Sequence, residues 1–127
     1  MKLKLSLLVL ALLGLVGAMA QAGYQNVSVQ QLHQARSAKF ILDVREPYEF
    51  AAGHVAGAKL IPLEQLAQRA TEIPRNIPVY VICRSGNRSA QASQILVSKG
   101  FSNIHTSRVA CWLGRLPGIR LGDELYP

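Results

Sequence analysis

A cysteine stands where an apolar run meets a short polar loop in VYVICRSGNRSAQASQIL, residues 79–96. Cys83 ends the run, and Arg84 and Arg88 lie in and beside the loop. A loop that leads from a strand into a helix can direct its backbone N–H groups at an anion. Such surroundings, with nearby arginines, favour the thiolate, which is the nucleophilic form of cysteine. The residue types therefore predict covalent chemistry on an anionic substrate. The alternative is a buried core cysteine that happens to end a strand.

The spacing between Cys83 and Arg88 separates two kinds of cysteine chemistry. Four residues lie between them, whereas the phosphate-binding loop of cysteine phosphatases has one residue more before its arginine. A smaller ring of N–H groups has less room for a tetrahedral phosphate but can hold one extra sulfur atom on the cysteine. The spacing therefore favours sulfur transfer over phosphate hydrolysis.

Short apolar strands alternate with helices around this loop. We predict strands at residues 40–44, 58–61, 79–83 and 101–105, a helical turn opened by Pro47, and helices at residues 28–35, 63–70 and 89–99. This alternation predicts an α/β domain around a largely parallel sheet. Functional sites in such sheets form at the carboxyl ends of the strands, which is where Cys83 lies.

The N-terminus has the pattern of a secretory signal. Two lysines precede an apolar run over residues 5–20, and small residues follow. We assign the signal peptide to residues 1–20, with cleavage after Ala20 or Ala22, and the folded domain to residues 24–120. The mature protein is then periplasmic or secreted, without a membrane attachment. An uncleaved anchor is the alternative, although the run is shorter than the ~20 apolar residues that span a bilayer.

Charge and cysteine content narrow the function classes. Without Lys2 and Lys4 the formal net charge falls from +7 to +5, so the mature chain is still basic. Its charges are scattered, which indicates attraction for small anions or acidic surfaces and argues against nucleic acid. The two cysteines, Cys83 and Cys111, form no CxxC or Cys/His cluster with zinc spacing. A structural disulfide between them is the alternative to a reactive Cys83.

Two blocks of the sequence resemble the rhodanese family of sulfurtransferases. LDVREPYEFAAGHVAGAKLIP, residues 42–62, is similar to the family signature D-x-R-x-x-x-E-[FY]-x-x-G-H-[IV]-x-G-A-x-x-[IL]-P. VYVICRSGNRSAQASQILVSKGF, residues 79–101, is similar to its strand, active loop and helix. The resemblance covers residues 27–105 and, with the signal, extends to the small periplasmic rhodaneses of the phage-shock type. It implies a rhodanese-like single domain with a mainly parallel sheet flanked by helices.

The resemblance also implies a two-step sulfur transfer. Cys83 attacks the outer sulfur of thiosulfate, releases sulfite and keeps a persulfide, and cyanide or a thiol then accepts the sulfur. No metal or organic cofactor is implied. The alternative is a non-catalytic rhodanese fold that carries persulfide sulfur to a partner, and phosphatase or arsenate-reductase-like activity is more remote. The implied substrate-binding residues form the loop after the cysteine: Arg84, Ser85, Gly86, Asn87 and Arg88.

The first block is expected to supply structural support for the loop. Asp43 ends its strand and accepts hydrogen bonds beside the active loop, as the resemblance implies. We expect a salt bridge between Arg45 and Glu49, which at an exposed site contributes only about 0–1 kcal/mol. The resemblance implies that His54 packs and hydrogen-bonds below the site and does not act as a general base. Two further histidines carry no motif and are expected at the surface or at an edge: His33 and His105.

After His105 the sequence departs from the family pattern. TSRVACWLGRLPG lacks the family's glycine pair, although Trp112 and Leu116-Pro117 are recognisable. In the family this segment is a wall beside the active loop, so Arg108 faces either the pocket or solvent. Cys111 is either a buried small apolar residue or a thiol that resolves the persulfide by forming a disulfide. The sequence leaves both questions, and the oligomeric state, open.

Overall fold

The computed structural model describes residues 23–108 in full and residues 119–121 and 124–125 as backbone strands. The predicted signal peptide with its cleavage sites, and the segment that holds Cys111 and Trp112, lie outside the described residues. Within the described part of the chain, no helix is long and apolar enough to cross a membrane.

Strands and short helices alternate along the chain, as the sequence predicts. The elements are β1 (Tyr24–Asn26), α1 (Val29–Gln34), β2 (Phe40–Asp43), α2 (Pro47–Ala52), β3 (His54–Val55), β4 (Lys59–Leu60), α3 (Leu63–Arg69), a 3₁₀ turn (Ala70–Glu72), β5 (Val79–Cys83), α4 (Asn87–Ser98), β6 (Ile104–Arg108), β7 (Ile119–Leu121) and β8 (Glu124–Leu125).

A parallel sheet of five strands forms the centre of the fold. Its strand order is β1-β6-β5-β2-β4, and every neighbouring pair is parallel. A second, antiparallel sheet has the order β3-β7-β8. The predicted α/β class with a mainly parallel sheet is therefore confirmed. Because β5 lies between β6 and β2, its carboxyl end at Cys83 is bordered by the ends of both neighbouring strands.

The central strand β5 is buried on both faces, and its alternate residues enter two different clusters. Val79, Val81 and Cys83 pack in the larger cluster, with residues from α3 and α4 such as Leu66 and Leu96. On the other side, Ile82 packs with residues of α1. Full burial of one large aliphatic side chain contributes about 1.5–3 kcal/mol. The side chain of Cys83 is thus directed toward α4 by the same alternation that builds the core.

The last predicted strand begins later than expected for a physical reason. The strand predicted at residues 101–105 begins at Ile104, because Phe101 completes the end of α4. The Phe101 N–H donates to the Leu96 carbonyl over 3.1 Å, and the Gly100 N–H donates to the Val97 carbonyl over 3.0 Å. This is a Schellman motif, with Gly100 in the left-handed region at φ 89°.

The polar strand β1 was not predicted. Among the described strands it pairs with β6 and lies at the edge of the sheet, and its sequence, YQN, carries no apolar pattern. Helix α4 begins at Asn87, two residues before the predicted start, because Gly86 serves as its N-cap.

The glycine at the end of α4 gives a first test. We expect Gly100→Ala to lower the free energy of unfolding by about 1–2 kcal/mol, since a Cβ is disfavoured in the left-handed region. Urea unfolding followed by circular dichroism measures the change. The matched control is Lys99→Ala at the preceding exposed position, where φ is −90°. Equal stability of Gly100→Ala and the control would contradict the assignment of Gly100 to the left-handed position of a Schellman motif.

Candidate active site

The thiol of Cys83 is fully buried at the end of β5, with 0% of the residue exposed. Its Sγ accepts a hydrogen bond from the Gly86 N–H at 3.0 Å. The Cys83 thiol also donates to the Ser89 Oγ at 3.2 Å, and that hydroxyl donates to the Gly86 carbonyl at 3.2 Å. The sulfur is therefore held by the loop backbone and by the first turn of α4.

Gly86 has the backbone conformation that closes this loop. Its φ is 102°, in the left-handed region, where residues with a Cβ are strained. A Cβ at this position would also lie 2.9 Å from Cγ and Cδ of Arg108. Gly86 turns its N–H toward the sulfur and starts α4, whose N-terminal end adds a partial positive charge.

The predicted binding residues form one continuous loop, but their side chains do not surround the sulfur. Arg84, Ser85 and Asn87 are exposed, and Arg88 is half-buried. Among these residues, the described hydrogen bond to the Cys83 Sγ comes from the Gly86 backbone N–H. The loop therefore contacts the sulfur through its main chain.

Arg88 forms an ion pair with Glu49 of α2. The Arg88 Nη1 donates to Oε1 at 2.6 Å, and Nη2 donates to Oε2 at 3.0 Å. The hydrogen bonds from Arg88 are the main cause that lowers the pKa of Glu49, and the same pair raises the pKa of Arg88. Glu49 also accepts a hydrogen bond from the Glu46 N–H at 3.2 Å, which fixes the start of α2. Arg88 thereby ties the active loop to the first sequence block.

The expected salt bridge between Arg45 and Glu49 does not form, because Arg45 is paired with Asp43. Arg45 and Asp43 are 2% and 0% exposed, and Nη2 lies 2.7 Å from Oδ2. The Arg45 Nε and backbone N–H also donate to the Asp43 carboxylate. A further bond runs from Nη2 to the Gly53 carbonyl at 2.8 Å. Asp43 accepts its hydrogen bonds from Arg45, so the pair fixes the chain between β2 and β3.

The histidines occupy three different environments. The ring of His54 stacks on Phe50, with centroids 3.7 Å apart, and Nδ1 lies 2.9 Å from the Phe50 carbonyl oxygen. His33 is exposed, as expected. His105 lies on β6, an interior strand, so the expected edge position was wrong. Its ring is half-buried and stacks on Tyr80, with centroids 4.7 Å apart. Burial lowers the pKa of His105.

Arg108 is a residue near the loop that the predicted binding set did not include. It pairs in register with Cys83 across β5 and β6, and its side chain crosses Gly86. The sequence left its direction open, and the structure places it against the active loop. The one feature of the sequence that could have indicated this position is that Arg108 follows closely after the last predicted strand. Among residues 23–108, no group of three acidic, histidine or cysteine side chains is arranged to hold a metal ion.

Comparison with known proteins defines the family. Residues 25–108 match the family model described as "Rhodanese-like domain", and the chain belongs to that family. In the solved structures, a rhodanese-related protein from Thermoplasma volcanium superposes with a TM-score of 0.70 and 31% identity. That superposition covers 77% of this chain and 99% of the other.

Curated relatives carry differing names. The thiosulfate sulfurtransferase GlpE of Pseudomonas entomophila is 30% identical, over 75% of this chain and 90% of its own length. Two Bacillus subtilis proteins match more strongly over about half of this chain. YqhL, called uncharacterized, is 48% identical over 51% of this chain, and YrkF, a putative sulfur carrier protein, is 41% identical over 50%. The match spans only 52% and 35% of the lengths of these two proteins. The family and the GlpE relatives support sulfurtransferase activity in general.

The ion pair between Glu49 and Arg88 gives a second test. We expect Glu49→Gln to lower the free energy of unfolding at neutral pH by about 1–2 kcal/mol, since a charge-assisted hydrogen-bond pair is lost. The pKa of Glu49 is lowered in the folded state from its usual 4.5. The stabilisation is therefore present above pH 4.5 and is lost as the pH falls through the lower folded pKa.

Urea unfolding of both proteins across the acid range measures this difference. The matched control is Glu64→Gln, which removes an exposed carboxylate from the first turn of α3. If the difference in free energy of unfolding between wild type and Glu49→Gln stays the same from neutral to strongly acid pH, the ion pair of Glu49 and Arg88 is contradicted.

Proposed function

We propose that this protein moves sulfane sulfur from thiosulfate to a thiophilic acceptor, cyanide or a thiol, through a persulfide on Cys83. The observation that carries the proposal is the position of the Cys83 Sγ. It lies at the carboxyl end of a central parallel strand and receives the Gly86 N–H at 3.0 Å. Sites in open α/β sheets form at this edge.

In the first step the Cys83 thiolate attacks the outer sulfur of thiosulfate. The new bond joins the Cys83 Sγ to that sulfur, and the bond between the two thiosulfate sulfurs breaks. Sulfite leaves with the electron pair, and a persulfide anion stays on the protein. In the second step the acceptor attacks the terminal sulfur and Cys83 leaves as a thiolate. This is covalent catalysis, which divides one transfer into two displacements.

The cradle stabilises the anions that these steps create. The left-handed turn at Gly86 directs a backbone N–H at the sulfur, and the N-terminal end of α4 adds partial positive charge. Preorganised donors of this kind act strongly where water is excluded, and Cys83 is fully buried. Arg84 is exposed on the loop and supplies a cation for the dianionic donor. Arg88 is already neutralised by Glu49 and braces the loop.

A persulfide carrier is the second candidate function. In this reading, Cys83 keeps its sulfur until a partner protein takes it. One observation favours it: a relative from Bacillus subtilis is named a putative sulfur carrier protein. The two candidates differ in whether a small acceptor discharges the persulfide.

We also propose that the mature protein is periplasmic or secreted and free of the membrane after signal cleavage. The support is the lysine-apolar-small pattern of residues 1–22. The N-terminal sequence of protein recovered from a periplasmic fraction tests it. A chain that begins at Gln21 or Gly23 would support the proposal, and an intact Met1 in the membrane fraction would overturn it.

Intact mass spectrometry tests the sulfur-transfer proposal. We expect reduced wild-type protein to gain one sulfur atom from thiosulfate and to lose it to cyanide, with thiocyanate as the product. Cys83→Ser should gain none, because the attacking sulfur is gone. Cys111→Ser is the matched cysteine control and should still gain the sulfur.

The outcome of this mass-spectrometry experiment distinguishes the sulfurtransferase from the persulfide carrier. A persulfide that forms but resists cyanide and small thiols would favour the carrier. Folded, reduced wild type that gains no sulfur from thiosulfate would rule out thiosulfate as the donor. Loss of the gain in Cys111→Ser would instead show that the second thiol takes part in the chemistry.

A further inference from the structure

A polar groove borders the active loop on the β6 side of the sheet. Its volume is about 620 Å³. It lies away from the pair of Arg88 and Glu49, since Glu49 follows β2 on the other side of β5. We call it the β6 groove. Its lining comes from the end of β1 and its link to α1, from the active loop and from the end of β6: Asn26, Val27, Ser28, Ser85, Gly86, Thr106, Ser107 and Arg108.

Arg108 gives the groove a positive charge. Its guanidinium has no carboxylate partner within residues 23–108, whereas the charge of Arg88 is compensated by Glu49. The Arg108 side chain is held beside the loop where it crosses Gly86. None of the residues that line the groove is acidic. An exposed guanidinium in a groove whose lining includes no carboxylate is suited to a carboxylate or another small oxyanion.

The position of the groove indicates which reactant it serves. Ser85 and Gly86 line it, but Cys83 does not, so the groove begins beside the sulfur and extends away from it. Thiosulfate carries its sulfonate directly on the transferred sulfur, so its charge lies one bond from the reacting atom. A thiol whose carboxylate is a few bonds from its sulfur can reach both places.

We propose that the β6 groove binds the carboxylate of a small anionic thiol, which accepts the sulfur from Cys83. This inference rests on the persulfide chemistry proposed above. The acceptor thiol attacks the terminal sulfur of the persulfide anion, and the bond from that sulfur to the Cys83 Sγ breaks. Cys83 keeps the electron pair as a thiolate, and the thiol proton stays with the new acceptor persulfide. No external oxidant or reductant is needed.

The discharge of preformed persulfide tests the groove. We compare 3-mercaptopropionate, which carries a carboxylate, with neutral 2-mercaptoethanol. Arg108→Gln should lower the second-order rate constant for 3-mercaptopropionate about tenfold, the size expected for one charge-assisted hydrogen bond. With 2-mercaptoethanol the same variant should stay within about twofold of wild type. Each thiol is compared with itself across variants, so the intrinsic reactivities of the two thiols cancel.

One further variant gives the comparison its control. Arg36→Gln removes the same charge from an exposed site between α1 and β2, before the amino end of β2 and away from the carboxyl ends that border the groove, and should change neither rate. An equal fall with both thiols in Arg108→Gln, or no fall with either, would overturn the inference.

A binding measurement separates this inference from the proposed function. Cys83→Ser protein is titrated with 3-mercaptopropionate, and amide shifts are followed by nuclear magnetic resonance. Saturable shifts at Ser85, Gly86 and Ser107 that disappear in the double variant with Arg108→Gln would support the groove. Their absence would overturn it. If no donor, including inorganic polysulfide, loads Cys83, the proposed function fails while the titration still decides the groove.

Discussion

The left-handed turn at Gly86 is the constraint on which the rest of the site depends. It brings a backbone N–H to 3.0 Å from the Cys83 Sγ and also starts α4. Since α4 packs on the face of β5 that carries Cys83, the helix that supplies the positive end also covers the sulfur. The Arg108 side chain crosses the space that a Cβ would fill. One backbone conformation thus links the reacting atom, the core and the β6 groove.

Two ion pairs hold the first sequence block around this turn, and they differ in burial. Asp43 and Arg45 are almost completely buried, and every described bond from the guanidinium goes to Asp43 or to the Gly53 carbonyl. Such a pair favours one conformation more than it adds stability, because desolvation offsets much of the attraction. Glu49 and Arg88 remain partly open to water, with side chains 13% and 28% exposed. This second pair connects α2 to α4 and so connects the two blocks that carry the family resemblance.

The sequence predicted the parts of the fold that depend on local patterns. The apolar run at residues 79–83 marked β5 at its observed bounds, and Ser28 marked the start of α1, where it caps the Gln31 N–H. The alternation of strands and helices predicted the parallel sheet. Strand β1 was missed because an edge strand with one neighbour needs no apolar pattern. The strand at the end of the domain was misplaced because Phe101 is apolar for a different reason, the closure of α4.

At the candidate site, the sequence predicted which residues are neighbours but not which of them pair. Arg45 is two residues from Asp43 and four from Glu49, and spacing alone does not choose between the two carboxylates. The choice depends on burial, since Asp43 ends an interior strand and Glu49 lies on a helix that faces Arg88. The position of Arg108 depends on strand register, which sets it opposite Cys83. That register depends on contacts between distant parts of the chain.

Because Cys83 is completely buried, the addition of a sulfur atom to its thiol would affect the stability of the fold. The thiol is part of the same cluster as Val79, Val81 and Leu96, so a second sulfur atom would enter next to packed core atoms. A persulfide would therefore act as a covalently attached ligand of the folded state, and loading and folding would be linked equilibria. The sulfur atom bound to Cys83 would then contribute to the stability of the folded protein as well as to its chemistry.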